Sequence, residues 1–141
     1  MNIDVNYVAV LLASVAFMAI GFAWYSPLLF GKMWMKEKGY SAETLKKAQK
    51  AMGTLYGLSF VVSLITAYVL THIMVLSENF FHYAPVSTGV TTAFSVWLGF
   101  VMPTQVTGTI FGNKNWKLFS IDSGYQLAGL VAMGIVIGMM Q

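Results

Sequence analysis

Apolar residues fill four long runs of this chain, and most polar residues gather in the gaps between them. The runs cover about residues 7–25, 52–76, 88–111 and 120–140. A helix rises 1.5 Å per residue, so about 20 residues cross the ~30 Å hydrocarbon layer of a bilayer. The pattern predicts an all-α polytopic membrane protein, with residues 1–141 forming a single four-helix transmembrane domain.

Punctuation residues mark the ends of these elements. Asp4 or Asn6 is placed to cap the first turn of the first span, and Pro27 stops that span. Leu28 to Lys50 mixes apolar side chains with lysine in its first half, which predicts a short helix lying at the membrane interface. Gly39 breaks it. Ser41 then caps a new helix, with Glu43 in its first turn, and that helix runs on into the second span to about Leu76. A gap from Ser77 to Ser87 follows, and Gly112 to Lys117 forms the turn between the third and fourth spans.

Composition agrees with hydrocarbon as the surrounding solvent. Charged residues make up 9% of the chain and the mean hydropathy is +0.70, whereas a soluble domain carries about 25% charged residues. There is no cysteine, which excludes disulfides, thiolate nucleophiles and cysteine-bound metals.

The net charge of +3 does not point to nucleic acid, because the lysines border the spans, where they set topology and meet anionic lipid. All eight lie in the first and third gaps. The positive-inside rule therefore predicts both termini outward and both basic loops in the cytoplasm. The N-terminal stretch has Asp4 as its only charged side chain and does not resemble a signal peptide, so the first span is expected to remain.

Departures from plain apolar helix are the candidate sites, since every backbone polar group in a bilayer needs a partner. Pro103 lacks an N–H, which leaves the Gly99 carbonyl without its helical donor and predicts a kink. Thr104 and Gln105 sit beside the freed carbonyl, either as packing groups or as part of a solute site. Ser59, Ser63 and Thr66 share one face of the second span, as a pore lining or as helix contacts.

Asp122 is the sole acid of the fourth span, with Gln126 one turn further on. An acid within a span is a functional candidate. Its nearness to Lys117 also suits an interfacial cap. As a functional residue it would hold a proton or cation, with Gln126 and Gln105 beside it.

His72 and His82 lack the further ligands that a metal site needs, so no metal or other cofactor is expected. Glycine and alanine recur at four-residue spacing, as in Gly53 and Gly57, Gly124 and Ala128, and Gly134 and Gly138. Such faces allow close helix contact and predict a homo-oligomer.

The stretch Gly21-Phe22-Ala23-Trp24-Tyr25-Ser26-Pro27-Leu28-Leu29-Phe30-Gly31-Lys32-Met33-Trp34-Met35 resembles the signature of small bacterial membrane proteins known as domain of unknown function seventeen sixty-one. The resemblance continues through Trp97-Leu98-Gly99-Phe100, Asn113 with Trp116, Gly124-Tyr125 and Met133-Gly134 to Gly138. It implies a four-helix integral protein, multi-pass in the bacterial cytoplasmic (inner) membrane, and carries no reaction, substrate or cofactor.

Read on their own, Trp24, Tyr25, Lys32 and Trp34 form either a lipid headgroup site or a well-anchored elbow. Three functions follow from the sequence. The first is an oligomeric conduit or transporter for a small solute or proton, centred on Asp122, Gln126, Gln105, Thr104, Pro103 and Ser63. The second is a structural or lipid-binding membrane subunit. A membrane-embedded enzyme is the least supported, because no nucleophile–base pair or metal cluster stands out.

Overall fold

The structure is a computed structural model and describes residues 3–113 and 115–141. Helix α1 spans Tyr7–Trp24, α2 Gly31–Lys38, α3 Ala42–Phe81, α4 Pro85–Val96, α5 Met102–Phe111 and α6 Trp116–Met140. A π-helical turn, Trp97–Val101, joins α4 to α5. Among the described residues four helical stretches are long and apolar enough to cross a membrane: α1, α3, the run Pro85–Phe111, and α6.

Side-chain caps set the starts of the three longest helices. Asn6 accepts from the Val8 and Ala9 amides at the head of α1. Ser41 accepts from the Thr44 amide at the head of α3, and Asn115 from the Leu118 amide at the head of α6. Pro85 opens α4 in the first turn, where its missing N–H costs nothing.

Between α1 and α2 the chain folds into a tight elbow. The Leu29 and Gly31 amides donate to the Ser26 carbonyl, and the Phe30 amide to that of Trp24. A side chain at Gly31 would run into the Tyr25 and Ser26 carbonyls, so only glycine fits. Gly39, at φ +67°, closes α2 in the left-handed conformation.

The second long helix extends five residues past Leu76, through Ser77-Glu78-Asn79, and ends at Phe81. Polar side chains do not break a helix that nothing else interrupts. His82 closes it at φ 55°, just before Pro85.

Helix α6 is the hub of the bundle, packing against both α1 and α4, while α3 packs against α1. The head of α1 and the tail of α6 meet at one end of the bundle, where Asn6 Nδ2 donates to the Met140 carbonyl across 3.2 Å. The apolar core lies towards that end. It is built from Ala9, Val10 and Ala13 of α1, Ala67, Leu70 and Met74 of α3, Ala93 of α4, and Leu130, Met133 and Ile137 of α6. Gly89 of α4 and Gly134 of α6 touch backbone to backbone, and a Cβ at either would overlap the other's carbonyl.

The outward faces are also apolar. Leu58, Val61, Val62, Ile65 and Val69 of α3 are all exposed, as are Leu11, Leu12 and Val15 of α1. A helix flanked by water keeps a polar face, so surfaces of this kind suit hydrocarbon.

At the opposite end α3 runs on past the bundle. No residue of α3 from Ala42 to Ser59 is buried. The Phe22 and Tyr56 rings, 5.1 Å apart, mark where α3 passes the end of α1. Its 40 residues reach about 60 Å, twice the depth of a bilayer's hydrocarbon.

The break in the third span begins at Trp97, six positions ahead of Pro103. Within the π turn the Met102 amide bonds the Trp97 carbonyl, five residues back instead of four. This wider register accommodates the proline ring, which would otherwise press on the preceding turn. The Thr104 hydroxyl is placed between the Phe100 and Val101 carbonyls, at 2.9 and 2.8 Å.

Candidate functional site

The elbow after α1 and the start of α6 converge on one carboxylate. Asp122 stands in the second turn of α6, and its Oδ1 accepts from the Tyr25 hydroxyl at 2.7 Å and from the Trp34 indole at 3.1 Å. Both donors are neutral, so Asp122 is held without an ion pair among the described residues. The Tyr25 hydroxyl, one residue beyond α1, is raised above the ordinary tyrosine range, first by burial and then by the Asp122 carboxylate. It therefore stays protonated as a donor.

Two further indoles bind the same stretch of α6. Trp24 Nε1 donates to the Ile121 carbonyl and Trp97 Nε1 to the Ser123 carbonyl, each at 3.0 Å. Helix carbonyls keep a second lone pair after their own ladder bond, so both bonds form without breaking α6. The glycine at 124 makes room for the indole, since a Cβ there would come within 2.9 Å of the Trp24 ring. Tyr25 contacts Trp34 and Tyr125 edge to face, with ring centres 5.5 and 5.2 Å apart.

Helix α2 is fastened at its far end as well. Glu37 pairs with Lys117 at 3.4 Å and accepts a short hydrogen bond of 2.6 Å from Asn115 Nδ2. Lys38 lies 5.3 Å above the Trp34 ring centre, a cation–π contact.

On another side of Asp122, between α5 and α6, a cavity of about 240 Å³ is lined by Thr104, Gln105, Gly108, Thr109, Phe119 and Asp122. The α5 residues recur at the spacing of one helical face. Gln105 Oε1 is buried there without a hydrogen-bond partner. Thr104 and Thr109 direct their hydroxyl hydrogens to backbone carbonyls of the preceding turn, which leaves their oxygens as acceptors. Polar groups lining a half-open space in this way can hold a small polar guest.

The structure thus gathers Asp122, Gln105 and Thr104 around one space. Pro103 is exposed and shapes the turn above them, and Gln126 is partly buried outside the lining. Ser63 is buried elsewhere, its hydroxyl donating to the Phe60 carbonyl of α3. Trp24, Tyr25 and Trp34 point their polar atoms at α6, and Lys32 is exposed on α2. His72 bonds the Tyr68 carbonyl at 2.8 Å. Among the described residues no three histidine, aspartate or glutamate side chains come together.

Gly108, Thr109, Phe119 and Trp97 were not legible as site residues. The one signal for the first two is their register with Thr104 and Gln105. A family model described as "Protein of unknown function (DUF1761)" matches residues 8–138. No curated protein and no solved structure matches the chain.

Proposed function

The chain belongs to the DUF1761 family, and we propose that it is a multi-pass integral protein of the bacterial cytoplasmic membrane that conducts or transports a small solute or proton. Both termini face outward, and α2, the lysine-bearing start of α3 and the turn before α6 face the cytoplasm. Copies associate through the small-residue face at Gly53 and Gly57, which is left open within the chain, to form the working assembly.

The observation that supports this reading is the cavity beside Asp122. A single carboxylate, a buried unpartnered amide oxygen and two threonine oxygens line it, and the third-span members lie on α5, just past the π turn. Broken helices and intramembrane acids recur at transport sites for a physical reason, namely that they present polar groups inside hydrocarbon. The test is flux into liposomes that carry the purified protein. Gln105→Leu should slow proton or small-solute entry relative to the unaltered chain, and equal rates would remove the cavity from the pathway.

A second reading, a lipid-binding subunit, draws support from α2. Lys32, Lys36 and Lys38 are exposed on a short helix that the aromatic elbow fixes beside the bundle. That arrangement suits the phosphates of anionic lipid. Native mass spectrometry should then retain anionic lipid on the protein, and Lys32→Ala should reduce it.

A further inference from the structure

We infer that the cavity between α5 and α6 binds a small monovalent cation. The inference deepens the conduit reading, on which it rests for treating this cavity as the working site. The polar side chains at its wall are Asp122, Gln105, Thr104 and Thr109. Asp122 contributes a carboxylate, and the one ion pair among the described residues is Lys117 with Glu37, so no lysine in it compensates Asp122. The two donors that reach Asp122 are uncharged and converge on Oδ1. Gln105 contributes a buried oxygen that lacks a donor. The Thr104 hydrogen is committed to the π-turn carbonyls and that of Thr109 to the Gln105 carbonyl of α5, so these side chains also offer lone pairs.

One negative charge among neutral oxygens selects the charge of the guest. An anion is repelled. A neutral solute leaves a partly buried carboxylate uncompensated, which is costly away from water. Calcium takes six to eight oxygens, commonly from several carboxylates, and this wall supplies a single carboxylate. A monocation matches it. The volume of about 240 Å³ is several times the roughly 30 Å³ share of one water. It admits an alkali ion with part of its hydration shell or a compact protonated amine, and the two share the same chemistry.

The test compares unfolding temperatures of the purified full chain in sodium, potassium, methylammonium and N-methylglucamine chlorides at one ionic strength. At least one of the three small cations should raise the temperature saturably above the bulky N-methylglucamine. Which cation does so separates the alkali ion from the amine. Gly108→Leu should abolish the rise by filling the cavity, since a Cβ at Gly108 meets nothing within 4 Å and the Tyr25–Asp122–Trp34 bonds are left intact. Gln105→Leu should weaken cation affinity about tenfold, the effect of losing one good oxygen contact to a charge.

Equal responses to all four salts, a stronger response to magnesium or calcium, or a rise that survives Gly108→Leu would overturn the inference. Liposome flux separates it from the conduit reading. Passage of a neutral solute without any cation response leaves the conduit standing and removes the cation. Saturable cation binding without flux does the reverse.

Discussion

The Trp34 indole donates to Asp122 Oδ1 across 3.1 Å, although the two residues are 88 positions apart. This bond, with that of Tyr25, makes a short helix outside the spans part of the fourth span's polar chemistry. Whatever occupies the cavity beside Asp122 is therefore coupled to the position of α2. Movement of that helix alters the donors on the carboxylate, and a change of charge on the carboxylate alters the hold on the helix.

Replacing Asp122 separates its structural from its electrostatic contribution. Asp122→Ala leaves the Tyr25 hydroxyl and Trp34 indole without their acceptor and should cost about 2–4 kcal/mol of stability. Asp122→Asn keeps an acceptor oxygen and should cost less. Unfolding in detergent measures both, and equal losses would show that the hydrogen bonds contribute little.

The glycines divide by what lies opposite them. Gly134→Ala forces a methyl group into the Gly89 carbonyl and should destabilise the protein by roughly 2 kcal/mol or more through separation of α4 from α6. Gly53→Ala meets nothing within 4 Å on the exposed part of α3 and should stabilise it by about 0.5–1 kcal/mol. Thermal unfolding of the two variants should shift in opposite directions.

Pro103→Ala restores a backbone donor and removes the ring that the π turn accommodates. The segment should then relax to α-helical register and rotate the Thr104–Gln105 face away from Asp122. Flux in liposomes should fall while thermal stability holds or rises. Unchanged flux would show that the wider turn does not position the site.

Because the chain contains no cysteine, single introduced thiols report topology cleanly. Lys46→Cys should react with an impermeant maleimide only when the reagent reaches the cytoplasmic side. Tyr83→Cys, beyond the other end of α3, should react in intact cells. The opposite pattern would invert the proposed orientation.

Much of the architecture was written in local signals. Four apolar runs, the cap at Ser41 and the stop at Gly39 correspond to helical stretches and to the boundaries of α2 and α3, because hydropathy and capping act over a few residues. The site was only half legible. Asp122, Gln105 and Thr104 stand out because polar atoms in apolar helices need a reason, and the structure puts them around one cavity. The partners of Asp122 were hidden, since nothing near Tyr25 or Trp34 in sequence names a carboxylate in another span. Belt aromatics and inward-facing donors have the same composition, and only tertiary packing distinguishes them. The π turn was hidden for a related reason. Proline advertises a disturbance but not how far upstream the backbone adjusts.

The unbroken course of α3 has a mechanical consequence. Its portion beside α1 is gripped at Ala67, Leu70 and Met74, while the stretch bearing Lys46, Lys47 and Lys50 stands free. A stiff rod held near one extremity amplifies angle into distance. A slight change in how the bundle seats this helix swings the lysine tip through a wide arc, so a spin label there would serve as a pointer for rearrangements too small to detect inside the bundle.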